Sequence, residues 1–268
     1  MNFEADPGRP RLHLVDGTFE LYRAHFSPRP GGAELRATKG LTAAMRALLA
    51  DRDERVTHLA VAFDNPIRSF RNDLFAGYKS DEGVPPELRA QFDAAEQAVR
   101  ALGVVVWSMG ALECDDAIAT AAVKYAGDFG QIRILSPDKD FGQCLRADHV
   151  VMVDRIRRTV TDEAAMRARR GVGPGSLADL LALTGDAADG IPGVAGFGEK
   201  TAATLLGHFV HVEAIPDDPA SWPPVRGAAR LAATLRESRK EVALYKLLAT
   251  LRTDADLRES AEELKPRG

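Results

Sequence analysis

The sequence predicts an α/β fold: a mostly parallel sheet flanked by helices, followed by a C-terminal helical subdomain. Three observations carry this. Short apolar runs of strand type recur at Leu12–Val15, Leu59–Phe63, Val104–Trp107, Ile132–Leu135 and Val150–Val153, with helical patterns between them. Beyond about residue 160 the strand-type runs stop. Four of the runs end on or lead into acids: Asp16, Asp64, the cluster Glu113 to Asp116, and Asp138 with Asp140.

The elements follow in order. Residues 11–15 read as the first strand. Gly40 to Ala50 sets Leu41, Met45, Leu48 and Leu49 at helical spacing, and Leu59 to Phe63 is the second strand. The stretch from Asn65 to Pro86 is charged and without clean period. Pro85, Pro86 and Glu87 open a helix that carries Phe92, Ala95, Val99 and Leu102 on one face and ends at Gly103. Val104 to Trp107 is a buried-type strand. Asp115 to Ala126 reads as a helix with Ile118, Ala119, Ala122 and Val123 inward. Strands at 132–135 and 150–153 complete a sheet covered on both faces. Helices are then predicted over 162–170, 176–184, 199–209 and 228–251, with a polar, proline-bearing connection at 216–224.

A length of 268 residues and an apolar content of 45% suit one large domain, or a core plus a smaller unit. Cys114 and Cys144 make neither a disulfide framework nor a zinc pattern, so a reduced, cytoplasmic setting is expected. Met1 to Arg11 lacks the apolar segment of a signal peptide and reads as a loose tail. No apolar run approaches the roughly 20 residues of a membrane span. The net charge of −4 argues weakly against a nucleic-acid partner. Two bound divalent cations would cancel it, so charge does not decide.

In open α/β sheets, ligands bind outside the carboxyl ends of the strands. Asp16, Asp64, Glu113, Asp138 and Asp140 follow four strands in the same sense, and Asp115 and Asp116 open the next helix. Taken singly, Asp116 also reads as an acid favoured by a helix N-terminus. Taken together, so many anions at one edge repel each other unless cations hold them. Hard oxygen ligands suit Mg²⁺ or Mn²⁺ rather than zinc, and two such ions can clamp both the attacking and the leaving oxygen of a phosphodiester. No Ser-His-Asp or Cys-His arrangement competes, and the six histidines are scattered.

Residues 184–202 are the second informative segment. A helix ends at Gly185, Gly196-Phe197-Gly198 makes a tight turn, and Glu199-Lys200-Thr201 opens the next helix. Glycines let backbone approach a phosphate, and a helix N-terminus offers N–H donors. This is helix-hairpin-helix logic for holding a DNA backbone without reading bases. Asp186 and Asp189, three apart, are expected to face the same way. Arg155, Arg157, Arg158, Arg167, Arg169 and Arg170 form a basic stretch, either a solvated surface or a DNA-backbone contact.

These residues resemble the 5′-nucleases, the family that includes the N-terminal nuclease domain of bacterial DNA polymerase I, phage 5′-exonucleases and flap endonucleases. The resemblance is carried by Leu14-Val15-Asp16-Gly17, Phe63-Asp64, Phe70-Arg71 with Tyr78-Lys79, Glu113-Cys114-Asp115-Asp116, Asp138-Lys139-Asp140, Thr184-Gly185-Asp186 with Asp189, and Gly196-Phe197-Gly198-Glu199-Lys200-Thr201. It runs from about residue 11 to about 256. It implies a PIN-like nuclease core at 11–165 with an arch at about 66–100. It also implies a helical subdomain at 166–268 that carries a helix-three-turn-helix element around the Gly-rich turn 185–201. By the resemblance, Asp16, Asp64, Glu113, Asp115, Asp116, Asp138, Asp140, Asp186 and Asp189 hold two or more Mg²⁺ or Mn²⁺ ions. Lys79 and Arg71 meet the scissile phosphate as catalytic cations. Gly193, Gly196, Gly198, Lys200 and Thr201 bind duplex DNA with a potassium ion. The implied activity is metal-dependent 5′-3′ exonuclease and flap cleavage of DNA carrying 5′ ends, flaps or nicks. A cytoplasmic, nucleoid-associated monomer without a polymerase is expected.

Two departures stand out. An arginine common three residues after the family lysine is replaced by Glu82, and Ala188-Asp189-Gly190 stands where Ser-Asp-Asn is frequent. A reversed charge beside a phosphate path weakens binding of a threaded strand, so a non-catalytic, structure-specific DNA-binding protein is the alternative. Asp16-Gly17-Thr18 mimics part of a phosphohydrolase motif, but Leu14 stands where that chemistry needs a nucleophilic Asp. A PIN-type ribonuclease toxin would not need residues 176–210.

Overall fold

The computed structural model describes residues 5–28 and 35–267. Met1 to Glu4, the start of the expected tail, lie outside them. Six strands form one sheet in the order β3-β2-β1-β4-β5-β6. They are β1 (Arg11–Asp16), β2 (His58–Asp64), β3 (Val105–Met109), β4 (Gln131–Leu135), β5 (Val150–Asp154) and β6 (Thr159–Thr161). All pairings are parallel except β5 with β6. The sheet is therefore mostly parallel, as expected, with one short antiparallel edge strand that the apolar pattern does not show.

Strand alternation sorts the core into two layers. Leu12, Leu14, Ala60, Ala62, Ile132 and Ile134 face α6 (Cys114–Lys124) and pack with Ile118, Ala122, Tyr125 and Phe129. Val15, Leu59, Val61 and Phe63 face the other way, onto Leu41, Met45 and Leu48 of α2 (Arg36–Leu49) and Phe92, Ala95 and Val99 of α5 (Phe92–Arg100). Each fully buried Leu or Phe in these layers contributes about 1.5–3 kcal/mol.

Several elements depart from expectation. Helix α1 (Gly17–Phe26) is unforeseen and is capped by the side chain of Asp16. Its Glu20 is 2% exposed and bound by Arg23, which hides the helical pattern behind a charge. The helix expected from Pro85 to Gly103 splits into α4 (Pro86–Arg89) and α5. Ahead of it, α3 (Phe70–Leu74) starts from a Ser69–Asn72 capping box. The tail is not loose over residues 5–10. Asp6 N–H donates to Gly130 O (2.9 Å), Ala5 N–H donates to Asp148, and Arg9 reaches Gly127 O.

The second half is helical. Its helices are α7 (Glu163–Arg170), α8 (Leu177–Thr184), α9 (Glu199–Phe209), α10 (Ala228–Glu237) and α11 (Arg239–Ala249). The helix expected over 228–251 breaks at Ser238, while Leu231, Leu235 and Val242 share one core with α8 and α9. After α11 the chain returns to the sheet. Arg252 N–H donates to Asp116, Ala255 N–H to Thr120, and Arg267 N–H to Gly103 O. Trp107 and Tyr125 both bond Glu259. Residues 250–267 thus form a strap over the α6 layer.

Candidate metal centre and its cavity

The carboxyl ends of β1, β2 and β4 and the N-terminus of α6 open into one cavity of about 900 Å³. Asp16, Asp64, Asp115 and Asp138 line it, with Lys79, Lys139, Phe19 and Tyr22. Parallel register puts Asp16 and Asp64 at adjacent strand ends, and Asp16 pairs across to Ala62. Each carboxylate is aimed by hydrogen bonds. Asp16 accepts from Phe19 N–H (2.8 Å) and the Ser136 hydroxyl (3.0 Å), and Asp64 from Cys114 N–H (2.7 Å). Asp138 accepts from Asp140 N–H (2.9 Å).

Two ligand groups result. One oxygen each from Asp16 and Asp115 and the Cys114 sulfur lie within 4.8 Å of one another, and so do oxygens of Asp140, Asp186 and Asp189. Asp186 and Asp189 meet through a turn rather than a helix: Asp186 and Ile191 exchange two backbone hydrogen bonds of 2.8 Å. Among the described residues, Lys79, Lys139, Arg157 and Arg170 of the cavity wall form ion pairs with other acids and with none of Asp16, Asp64, Asp115 and Asp138. Burial, then the neighbouring carboxylates, pushes Asp16 up to about 7 and Asp115 well above the usual range. Asp140 also rises to about 7, from burial and then Asp138. Its Oδ1 is buried without a hydrogen-bond partner. Clustered buried carboxylates, all hard oxygen ligands, fit divalent cations.

Three expected site residues are placed differently. Arg71 is 1% exposed and does not reach the cavity. Its guanidinium donates to both oxygens of Asp116 (2.8 and 2.7 Å) and to the carbonyls of Leu248 and Thr250. Asp116, fully buried, accepts also from Glu113 N–H and Arg252 N–H, so its lone pairs are taken. The structure thus places Arg71 in a buried clamp on Asp116, away from the cavity where it was expected to meet a phosphate, and places Asp116 behind the other acids. Glu113 turns away from the cavity wall towards Ser69 (2.6 Å), Tyr78 (3.3 Å), Lys79 (3.2 Å) and Arg71 (3.3 Å). Although burial opposes its charge, Lys79 and Arg71 hold its carboxyl below the usual range. It holds Lys79 at 3.2 Å and remains near enough to Asp64 to push that carboxyl up.

Lys79 does reach the cavity, with 40% of its side chain exposed, and bridges Glu113 and Asp189 (3.0 Å). Its own N–H donates to Asp189 O (2.9 Å), which pins the arch loop to the Gly-rich turn. Gly190, at φ +73°, permits this: a Cβ there would sit 2.0 Å from Gly77 O. Further along the turn, Gly193 has φ +73° and packs on Gly185 N, while Gly196, Gly198 and Lys200 are exposed beside Thr201 at the start of α9. Of the basic stretch, Arg157, Arg169 and Arg170 line the cavity, Arg167 pairs with Glu163, and Arg155 lies 4.0 Å from Glu20. Glu82 is exposed on the arch loop. No histidine lines the cavity. Sequence reasoning missed Ser136 and Ser69, which orient acids, and Lys139, which stands between the two acids of Asp138-Lys139-Asp140 and was legible there.

Residues 11–171 match the family described as 5′-3′ exonuclease, N-terminal resolvase-like domain, and residues 172–268 its C-terminal SAM fold. The chain is 34% identical over 270 residues to DNA polymerase I of Bacillus caldotenax and 36% identical over 261 residues to that of Pseudomonas aeruginosa. These alignments take in 97% and 95% of the chain but 30% and 28% of the polymerases, so the chain spans under a third of their length. It is 30% identical to a 5′-3′ exonuclease of Buchnera aphidicola, over 94% of the chain and 85% of that protein. Among solved structures, a zinc-bound T5 5′-exonuclease shares the fold with a TM-score of 0.70 at 20% identity, covering 91% of this chain and 90% of that one. The catalytic core of Rad2 in complex with DNA superposes with a TM-score of 0.61 at 13% identity, covering 91% and 80%. Among the described residues, no helix is long and apolar enough to cross a membrane.

Proposed function

The chain belongs to the 5′-3′ exonuclease family, and from that premise we propose that it is a divalent-metal-dependent 5′-3′ exonuclease and flap endonuclease acting on DNA in replication or repair. The observation that carries the reading is the pairing of two acid groups, one lining the cavity and the other, partly built on the Gly-rich turn, joined to the cavity wall by Lys79 and Lys139. Asp16, Asp64, Asp115 and Asp138 would hold one ion and Asp140, Asp186 and Asp189 a second. Hard oxygens favour Mg²⁺ or Mn²⁺. Bound there, such ions supply charge neutralisation at the phosphodiester and a water nucleophile at neutral pH.

The chain's own groups do the rest. Lys79, held by Glu113 and Asp189, presents its ammonium to the cavity, where a phosphate would meet it. Phe19 and Tyr22 give the wall an apolar side for a base or sugar. Gly193, Gly196, Gly198, Lys200 and Thr201 would grip the duplex backbone, with a potassium ion at the turn, and Arg157, Arg169 and Arg170 would extend that grip. We place the division between nuclease core and DNA-holding subdomain near residue 165. The partner is DNA with 5′ ends, flaps or nicks, and the setting a cytoplasmic, nucleoid-associated monomer.

A panel of 5′-labelled flap, nicked, gapped and single-stranded DNAs with Mg²⁺ tests this. Short 5′ products are expected, and the double change Asp138→Ala with Asp140→Ala abolishes them while circular dichroism stays the same. Glu82 on the arch loop favours a second reading, a DNA-binding protein without cleavage. Flap binding in Ca²⁺ with no cleavage in Mg²⁺ would establish it.

A further inference from the structure

The two acid groups are neutralised very differently. Among the described residues the first has no cavity cation at ion-pair distance, and Lys79 acts on Asp115 and Asp64 only from further off. The second is capped by two: Lys139 Nζ bonds Asp186 and lies 3.3 Å from Asp140 Oδ1, and Lys79 Nζ lies 3.0 Å from Asp189. Both lysines line the cavity, whereas Asp140, Asp186 and Asp189 do not. The ammonium groups therefore stand between the cavity and the second acid group. Lys139 keeps 36% of its side chain exposed, on a four-carbon stem that can turn. Its contact with Asp140 is incomplete, since Oδ1 of that residue accepts no hydrogen bond.

We propose that Lys139 is a tethered placeholder for the second divalent ion, released by exchange: a divalent cation takes its place on Asp140 and Asp186, and the freed ammonium turns into the cavity to meet substrate phosphate. The idea rests on the proposed nuclease reading and adds to it a positioning residue and an order of events. The first ion binds without displacing anything. The second displaces a resident cation, which weakens its binding in the empty protein. A phosphate in the cavity offers the displaced lysine a new partner, so second ion and substrate bind with positive coupling.

Mn²⁺ titration followed by the loss of the free-ion EPR signal tests this in the full chain. Wild type should show one tight ion and a second about tenfold or more weaker. Lys139→Gln should tighten the second class about tenfold and leave the first unchanged, which also reports that the acids remain in place. Lys139→Arg, which keeps a cation there, should leave the second class weak. A short 5′-phosphorylated oligonucleotide with a non-hydrolysable backbone should strengthen the second class in wild type and much less in Lys139→Gln. Equal second-class affinity in wild type and Lys139→Gln, or no effect of the oligonucleotide in wild type, overturns the proposal. Cleavage of the DNA panel is a separate readout. Absent cleavage with the Mn²⁺ shifts intact sinks the nuclease reading alone, and normal cleavage without the shifts sinks this one alone.

Discussion

Arg71 and Asp116 meet through two parallel hydrogen bonds of 2.8 and 2.7 Å in a part of the core where neither is more than 1% exposed. The pair joins the arch base to the start of α6, and through Leu248 O and Thr250 O to the chain after α11. A charge left alone at such depth is costly, whereas a matched apolar pair is tolerated. Arg71→Met should destabilise the fold by about 3–5 kcal/mol in urea unfolding, and Arg71→Met with Asp116→Leu should recover much of that loss. The number of Mn²⁺ ions bound by the double variant should equal that of wild type. A missing ion would return Asp116 to the metal ligands.

Asp16 and Asp140 both titrate near 7 when folded, against an ordinary carboxyl value of 3.8. A raised carboxyl pKa contributes stability at low pH and loses it as pH climbs from about 4 through about 7. Buried His13 works in the opposite sense, its pKa lowered chiefly by desolvation, so it loses stability as pH falls. The difference between wild type and Asp140→Asn removes that background. In EDTA, the Tm advantage of Asp140→Asn should grow between pH 5 and pH 8. Excess Mg²⁺ should shrink it. An advantage that stays constant with pH would contradict the placement of Asp140.

Gly190→Ala forces a methyl group onto Gly77 O and strains a left-handed backbone. The arch loop should then lose its bond to Asp189 and with it the position of Lys79. We expect about 1–3 kcal/mol of lost stability and a fall in kcat larger than the change in KM for flap substrate. A change in KM alone would mean that the loop repairs itself.

Glu82→Arg puts a cation on an exposed loop three residues after the cavity-lining Lys79, where backbone strain is not at issue. Binding of flap DNA in Ca²⁺ should tighten at low salt, and the slope of log affinity against log salt should steepen by about one. An unchanged slope would place Glu82 off the path of the 5′ strand.

Much of the frame is legible before any coordinates. Each parallel strand is a mostly apolar run, broken only by His13 in β1, Arg133 in β4 and Ser108 in β3, because both faces of the sheet are covered, and acids follow the runs. Strand β6 escapes notice because it is three residues long and mostly exposed. The break at Ser238 escapes notice because Leu235 and Val242 stay in phase across it. The site divides in the same way. Asp115 and Asp116 are alike and adjacent in the sequence, and only Arg71, 45 positions away, makes one a pillar and leaves the other facing the cavity. Lys139 is the reverse: its position between two acids was visible, but its contact with Asp186 depends on how α8 and the turn after it dock.

The strap of residues 250–267 has a consequence for how the protein is made. Asp116 receives Arg252 N–H, Thr120 receives Ala255 N–H, and Leu264 is fully buried against the α6 layer. On the ribosome, the sheet emerges long before the segment that covers it. A nascent chain can form its strands early but cannot finish the wall that backs α6, and with it Asp115 and Cys114, until residues 250–267 have been translated. The order of synthesis thus delays completion of the layer behind the acid centre, and a fragment ending near residue 171 would carry every acid of the first group, with the donors that aim them, but without the strap that backs α6.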